Sequence, residues 1–150
     1  LTAISDFSNY FKALQANMEN YIIAIAVKDT PGLYFTDALY TDMQRIGVTV
    51  NLTKKHWYGY AAIIDGGNLL AEDAAYQKVV TVKAKTKDGV AVVSTSKPLK
   101  VGNATAISFN GVGGSVCRRG INIMVYDKTK KCVCDSVCFD THVKGIDCHR

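Results

Sequence analysis

Apolar side chains along this chain recur first at helical spacing, then in continuous or alternating runs, so the pattern predicts a short helical opening and a long β-rich remainder. In SDFSNYFKALQANM, Phe7, Tyr10, Phe11, Leu14 and Met18 share one helical stripe, and Ser5 or Asp6 stands where the first free amide protons need an acceptor. That spacing predicts a helix over 6–18 with the stripe as its core face. YIIAIAV at 21–27 is apolar at both parities, which predicts a central strand covered on both faces. Pro31-Gly32 ends it. TDALYTDMQRIG predicts a second helix over 36–46, opened by Thr36 or Asp37, with Leu39, Met43 and Ile46 inward and Gly47 stopping it. VTVNLTKKHWYGYAAIIDGG then predicts a short strand, a loop, an apolar strand and a Gly66-Gly67 turn. From Tyr76 onward, VVTVKAK, VAVVSTS, ATAISFNGV, GINIMVY and CVCDSVCF are strand-like runs separated by turn residues. No repeat, low-complexity segment or linker interrupts the pattern. The expectation is one α/β domain over residues 1–150, with an extensive, sandwich-like β-sheet and two short helices.

Composition fits this and narrows the function. With 48% hydrophobic and 21% charged residues, the chain is globular and long enough to bury a core unaided. No apolar run approaches the ~20 residues of a membrane-spanning helix. The net charge of +5 comes from lysines that mostly alternate with apolar residues, as on the wet side of strands. No aromatic platform of the RNA-binding kind accompanies them, so nucleic acid is not an expected partner. The sequons Asn51-Leu52-Thr53 and Asn103-Ala104-Thr105, the cysteine content and Leu1 in place of a starting Met lead us to expect a processed, secreted glycoprotein with sugars on Asn51 and Asn103.

Four of the five cysteines fall in CRRGINIMVYDKTKKCVCDSVCFDT, residues 117–141. Cys132, Cys134 and Cys138 occupy even positions of one strand and so are expected on one face, where neighbours about 7 Å apart cannot bridge. This spacing fits no zinc pattern, and no segment clusters carboxylates as calcium requires. Disulfides or buried thiols are expected instead, with Cys117 and Cys148, which flank the hairpin, as the cross-links to elements outside it and the connectivity left open. An odd cysteine is left over, free and buried or bridging a second subunit.

The same stretch resembles the signature hairpin of the interleukin-like EMT inducer domain, or GG-type lectin domain. Arg119, Gly120, Ile121 and Asn122 match its R-G-[IL]-[NH], Asp127-Lys128-Thr129 its turn, and Phe139, Asp140 and Thr141 its F-D-[MT]. The elements that come after the hairpin in that family stand here at the start of the chain: a helix at 6–18, Val27-Lys28-Asp29, a helix at 36–46, the strand around Trp57–Ile64 and Gly66-Gly67. The chain therefore looks like a circular permutation of the family domain. The resemblance implies a binding domain, similar in its stem-domain branch to a sugar-binding module whose contacts include the Asp of V-K-D, here Asp29. It also implies an Arg in G-W-R-D-T-W, but that place holds Trp57, with Tyr58 at the Asp and Tyr60 at the second Trp. A secreted, permuted, glycosylated member of 16.3 kDa is similar to the galactose-binding lectins of octocorals.

The residues themselves also allow a sugar site. A neutral sugar needs a flat apolar surface for its C–H face and fixed acceptors and donors for its hydroxyls. Trp57 is the chain's only tryptophan, flanked by His56 and Tyr58, and strand alternation makes either Trp57 or that pair the surface set. Asp29 sits at the C-terminal end of the central strand, where it either meets ligand or caps the turn. Asp65 and Asn68, around Gly66-Gly67, either add polar contacts or form a plain turn. No motif for a nucleophile, a phosphate loop or a dinucleotide loop is present, and Asp140-Thr141-His142 on a strand cannot converge. The expectation is a lectin for galactose or N-acetylgalactosamine on cell-surface glycans. It needs no metal, cofactor or catalytic residue, and gains avidity as a homo-oligomer. A secreted cytokine-like or protein-interaction domain of the same fold is the alternative.

Overall fold

The computed structural model describes residues 1–150. Helix α1 runs Phe7–Ala16, where the Asp6 carboxylate accepts the Asn9 amide at 2.9 Å and so settles the choice of cap. Strand β1, Tyr21–Lys28, follows, then helix α2, Asp37–Gln44. The stretch 48–50 is a loop rather than the short strand its alternation suggested. Glu72 accepts the Thr49 and Val50 amides there, in place of a neighbouring strand. Next come β2 (Tyr58–Asp65), β3 (Asn68–Tyr76), β4 (Val80–Lys85), β5 (Ala91–Lys97), β6 (Ala104–Phe109) and the two-residue β7 (Val112–Gly113). The chain closes with β8 (Gly120–Asp127), β9 (Cys132–Asp140) and β10 (Asp147–His149).

These strands form two sheets, ordered β10-β9-β8-β1-β2-β3 and β4-β5-β6-β7. Every strand pair is antiparallel, so the architecture is a β-sandwich with helices on one outer face rather than a parallel α/β sheet. Strand β1 is central, as its doubly apolar sequence requires. Ile23, Ile25 and Val27 meet the helical stripe of Phe7, Tyr10, Phe11 and Leu14, while Ile22, Ala24 and Ala26 meet Val82, Val92, Ile107 and Phe109 of the smaller sheet. Buried Ser94 and Ser96 tie that sheet to the Ile25 and Val27 carbonyls. No helix is long and apolar enough to cross a membrane.

The hairpin of β8 and β9 contains a correction. Val125 faces Asp135 and Tyr126 faces Val133, which leaves Cys134 as an extra residue in a bulge. A bulge breaks the period of two, so the three strand cysteines do not share a face. Cys134 packs against the helix-side core, Cys138 is fully buried with its thiol on the Arg118 and Arg119 carbonyls, and Cys132 is exposed. All five cysteines are free thiols in this structure, so neither Cys117 nor Cys148 cross-links the hairpin to another element.

Candidate functional site

One end of the sandwich collects the loops after β1, before β2, between β5 and β6, before β8 and after β9. Asp29, in the first of these, has φ 66°. The Thr30 amide donates to the Lys28 carbonyl at 2.8 Å across it, which makes Asp29 the centre of a γ-turn of the strained, left-handed hand. Its backbone also bridges to Pro98, and its carbonyl accepts the Leu99 amide at 3.2 Å. Turn capping, one of the two roles open to this residue, falls instead to Thr30, whose hydroxyl accepts the Gly32 amide at 3.1 Å and the Trp57 amide at 3.0 Å. The Asp29 side chain has no hydrogen bond or ion pair within the chain and is left for solvent or ligand.

Trp57 is the second element of the site. It stands one residue before β2, outside the strand whose alternation was to decide its face, at φ 59°. A bulky residue in the left-handed region is an outlier that the surroundings must hold in place. Here the Thr30 hydroxyl fixes its amide, and its carbonyl accepts the Gln77 amide at 2.9 Å. Trp57 is 41% exposed, so it is not a core residue. The His56 ring lies 6.1 Å from it. Tyr58 turns toward β3, 5.6 Å from the Tyr76 ring and under the Lys55 ammonium. Tyr60 is fully buried, with its hydroxyl on Glu72 at 2.7 Å, and takes no part in the surface.

Beside Asp29, the Arg119 guanidinium grips Asp140 with contacts of 2.9 to 3.2 Å. The hydrogen bonds that Arg119 donates to Asp140 chiefly raise the Arg119 pKa above its ordinary value, and the nearby charge of Asp29 acts in the same direction. Asp140 also accepts the His142 amide at 3.0 Å, and His142 Nδ1 accepts the Leu33 amide at 3.1 Å. Thr141 donates to the Pro31 carbonyl, so the loop after β1 is stitched to the end of β9. Gly120 begins β8 at φ 110°, where an added Cβ would collide with the Phe139 carbonyl, so only glycine lets the two strands close here. Sequence patterning did not point to Arg119, Asp140, His142 or Thr30 as site residues. The signal was the pairing of R-G-I-N with F-D-T across the hairpin, where Ile121 faces Phe139.

Asp65 and Asn68 do not belong to this site. They lie at the far end of β2, about 23 Å from Tyr58 at the usual rise of an antiparallel strand. Asp65 is buried and paired with Lys128 at 2.8 Å, and Asn68 is the exposed first residue of β3, facing it across the β2–β3 hairpin. A turn is what the Gly-Gly pair makes there. The sequon residues sit on loops. Asn51 donates its amide to Asp37 at 2.9 Å and accepts the Thr53 amide, while Asn103 is half-buried at φ 46°. No three His, Cys, Asp or Glu side chains converge to hold a metal ion.

Compared with family models, with curated proteins and with solved structures, the chain matches none.

Proposed function

We propose that the protein is a secreted lectin that binds galactose or N-acetylgalactosamine units of cell-surface glycans without metal or catalysis. The observation that carries this reading is exposed Trp57, held in a left-handed backbone by the hydroxyl of Thr30, the residue after Asp29, whose own carboxylate has no hydrogen-bond partner in the chain. Trp57 supplies the platform for the apolar C3–C5 face of the sugar. Asp29 accepts from its hydroxyls. Their backbones are fixed before any ligand arrives, so little conformational entropy is lost on binding. The resemblance of Val27-Lys28-Asp29 and of the β8–β9 hairpin to GG-type lectin domains supports the same choice, and the lectin gains avidity from a homo-oligomer.

Titration calorimetry with galactose, N-acetylgalactosamine, N-acetylglucosamine and mannose, with and without chelator, tests the reading. Saturable binding of the first two that is indifferent to chelator is expected. Asp29→Gly removes the carboxylate yet keeps the left-handed backbone, and it lowers affinity at least about tenfold. Retained affinity in a folded Asp29→Gly protein sinks the site. A protein-binding role is the second reading, favoured by Leu33, which is 64% exposed beside exposed Tyr34 and Leu99. A folded protein that binds none of the sugars supports that alternative.

A further inference from the structure

We propose that this site prefers an anionic saccharide, a galactose-type unit carrying sulfate or carboxylate groups, over a neutral one. The inference rests on the sugar-binding reading and names its substrate class. Half of the Lys and Arg residues lie in the loops and strand ends of the Trp57 pole, against Asp6, Asp29, Asp37, Asp140 and Asp147 among the acids. The remainder of the chain is nearly balanced, so most of the excess of +5 resides at this end. Sequence order hides this, because the lysines look scattered until antiparallel strands bring their loops together.

The placement of these charges matters as much as their number. Lys54, Lys97, Lys100 and Arg118 are exposed, and none is in an ion pair. At the opposite end Lys128 is neutralised by Asp65. Lys100 rides on the turn whose Leu99 amide binds the Asp29 carbonyl, and the Lys28 ammonium reaches the Cys117 carbonyl at 3.3 Å beside Arg118. The free cations thus form a rim around a centre of one indole and one carboxylate. A sugar ring with hydroxyls over the centre and anionic substituents at its edge matches that arrangement. A nucleic acid carries the same charge, but single strands are held by successive aromatic platforms along a groove. Here exposed Trp57 shares the end of the sandwich with the unpartnered Asp29 carboxylate, an acceptor that suits sugar hydroxyls and finds no donor on a phosphodiester backbone.

The test is binding of the full chain to galactose, galactose 6-sulfate, galacturonate and single-stranded oligothymidine, at low and high salt. One anionic sugar binding about tenfold tighter than galactose is expected, because charge-assisted hydrogen bonds replace neutral ones. Whichever of the two wins identifies sulfate or carboxylate as the recognised group. Added salt closes the gap, and so does the triple variant Lys97→Ala, Lys100→Ala, Arg118→Ala. Equal affinity for all three sugars overturns this inference while leaving the galactose reading intact. Binding of no sugar removes both. Oligothymidine competing as well as the preferred sugar overturns it in favour of a nucleic-acid surface.

Discussion

Single side chains in this molecule are set by where the strand register leaves them, and the cysteines make the point. The bulge at Cys134 sends Cys138 into the interior, where burial is the main cause that pushes its thiol up to about 12. An unfolded chain deprotonates the same thiol near pH 8.5. Between these values the folded state holds a proton that the unfolded state has lost, so stability is full below about pH 8.5 and declines as pH rises toward 12. Tyr10 and Tyr60, both raised chiefly by burial, act in the same direction. The melting temperature is therefore expected to fall across this range, with a shallower slope in Cys138→Ser, whose hydroxyl does not titrate there. In the reduced native protein a disulfide reagent at pH 8 should label exposed Cys132 within seconds and Cys138 only on unfolding. A Cys138 that reacts as fast as Cys132 in the folded protein contradicts the bulge.

At the scale of elements, the first and last residues of the described chain are tied to one buried carboxylate. Asp135 accepts the Tyr10 hydroxyl of α1 at 2.6 Å and Arg150 Nε at 3.0 Å, while Arg150 also donates to the Leu1 and Ile4 carbonyls. The Asp135 side chain is almost fully enclosed, so losing Arg150 leaves a buried charge with one hydrogen bond. Arg150→Ala is expected to lower unfolding stability by about 2 kcal/mol, with Arg150→Lys recovering part of it. A urea midpoint unchanged in Arg150→Ala would show that water replaces the guanidinium at no cost. Nothing in the sequence announces this clamp, because it joins residues from opposite ends of the chain. Helices α1 and α2 were legible because their apolar residues keep the helical period, and β1 and the β8–β9 hairpin because their apolar runs are bounded by turn residues. Strand β3 was not, since NLLAEDAAY runs along the sheet edge without a clean alternation of buried and exposed positions. Its Glu72 points back to serve Thr49, Val50 and Tyr60. Trp57 was legible as chemistry but not as geometry. Its exposure depends on a left-handed φ one residue before β2, which strand parity does not encode.

For the whole molecule, antiparallel pairing decides which residues can act together. Asp29 and Trp57 are brought to one end because β1 and β2 run in opposite directions, Ile22 facing Asp65 and Ala26 facing Ala61. The same pairing carries Asp65 and Asn68 to the other end, although Asp65 lies closer to Trp57 in sequence than Asp29 does. A Gly-Gly turn with an adjacent acid looks like sugar-binding chemistry in the sequence, yet in the fold it closes a hairpin and neutralises Lys128. The double variant Asp65→Asn, Asn68→Ala is therefore expected to bind galactose-type ligands with unchanged affinity, while Asp29→Gly does not. It should still be less stable than the parent protein, because Lys128 loses its buried partner. Calorimetry and a denaturation midpoint on the same preparation separate the two effects. If sugar affinity falls in the double variant while Asp29→Gly still binds, the recognition end is the Gly66-Gly67 pole, and Trp57 serves the fold rather than the ligand.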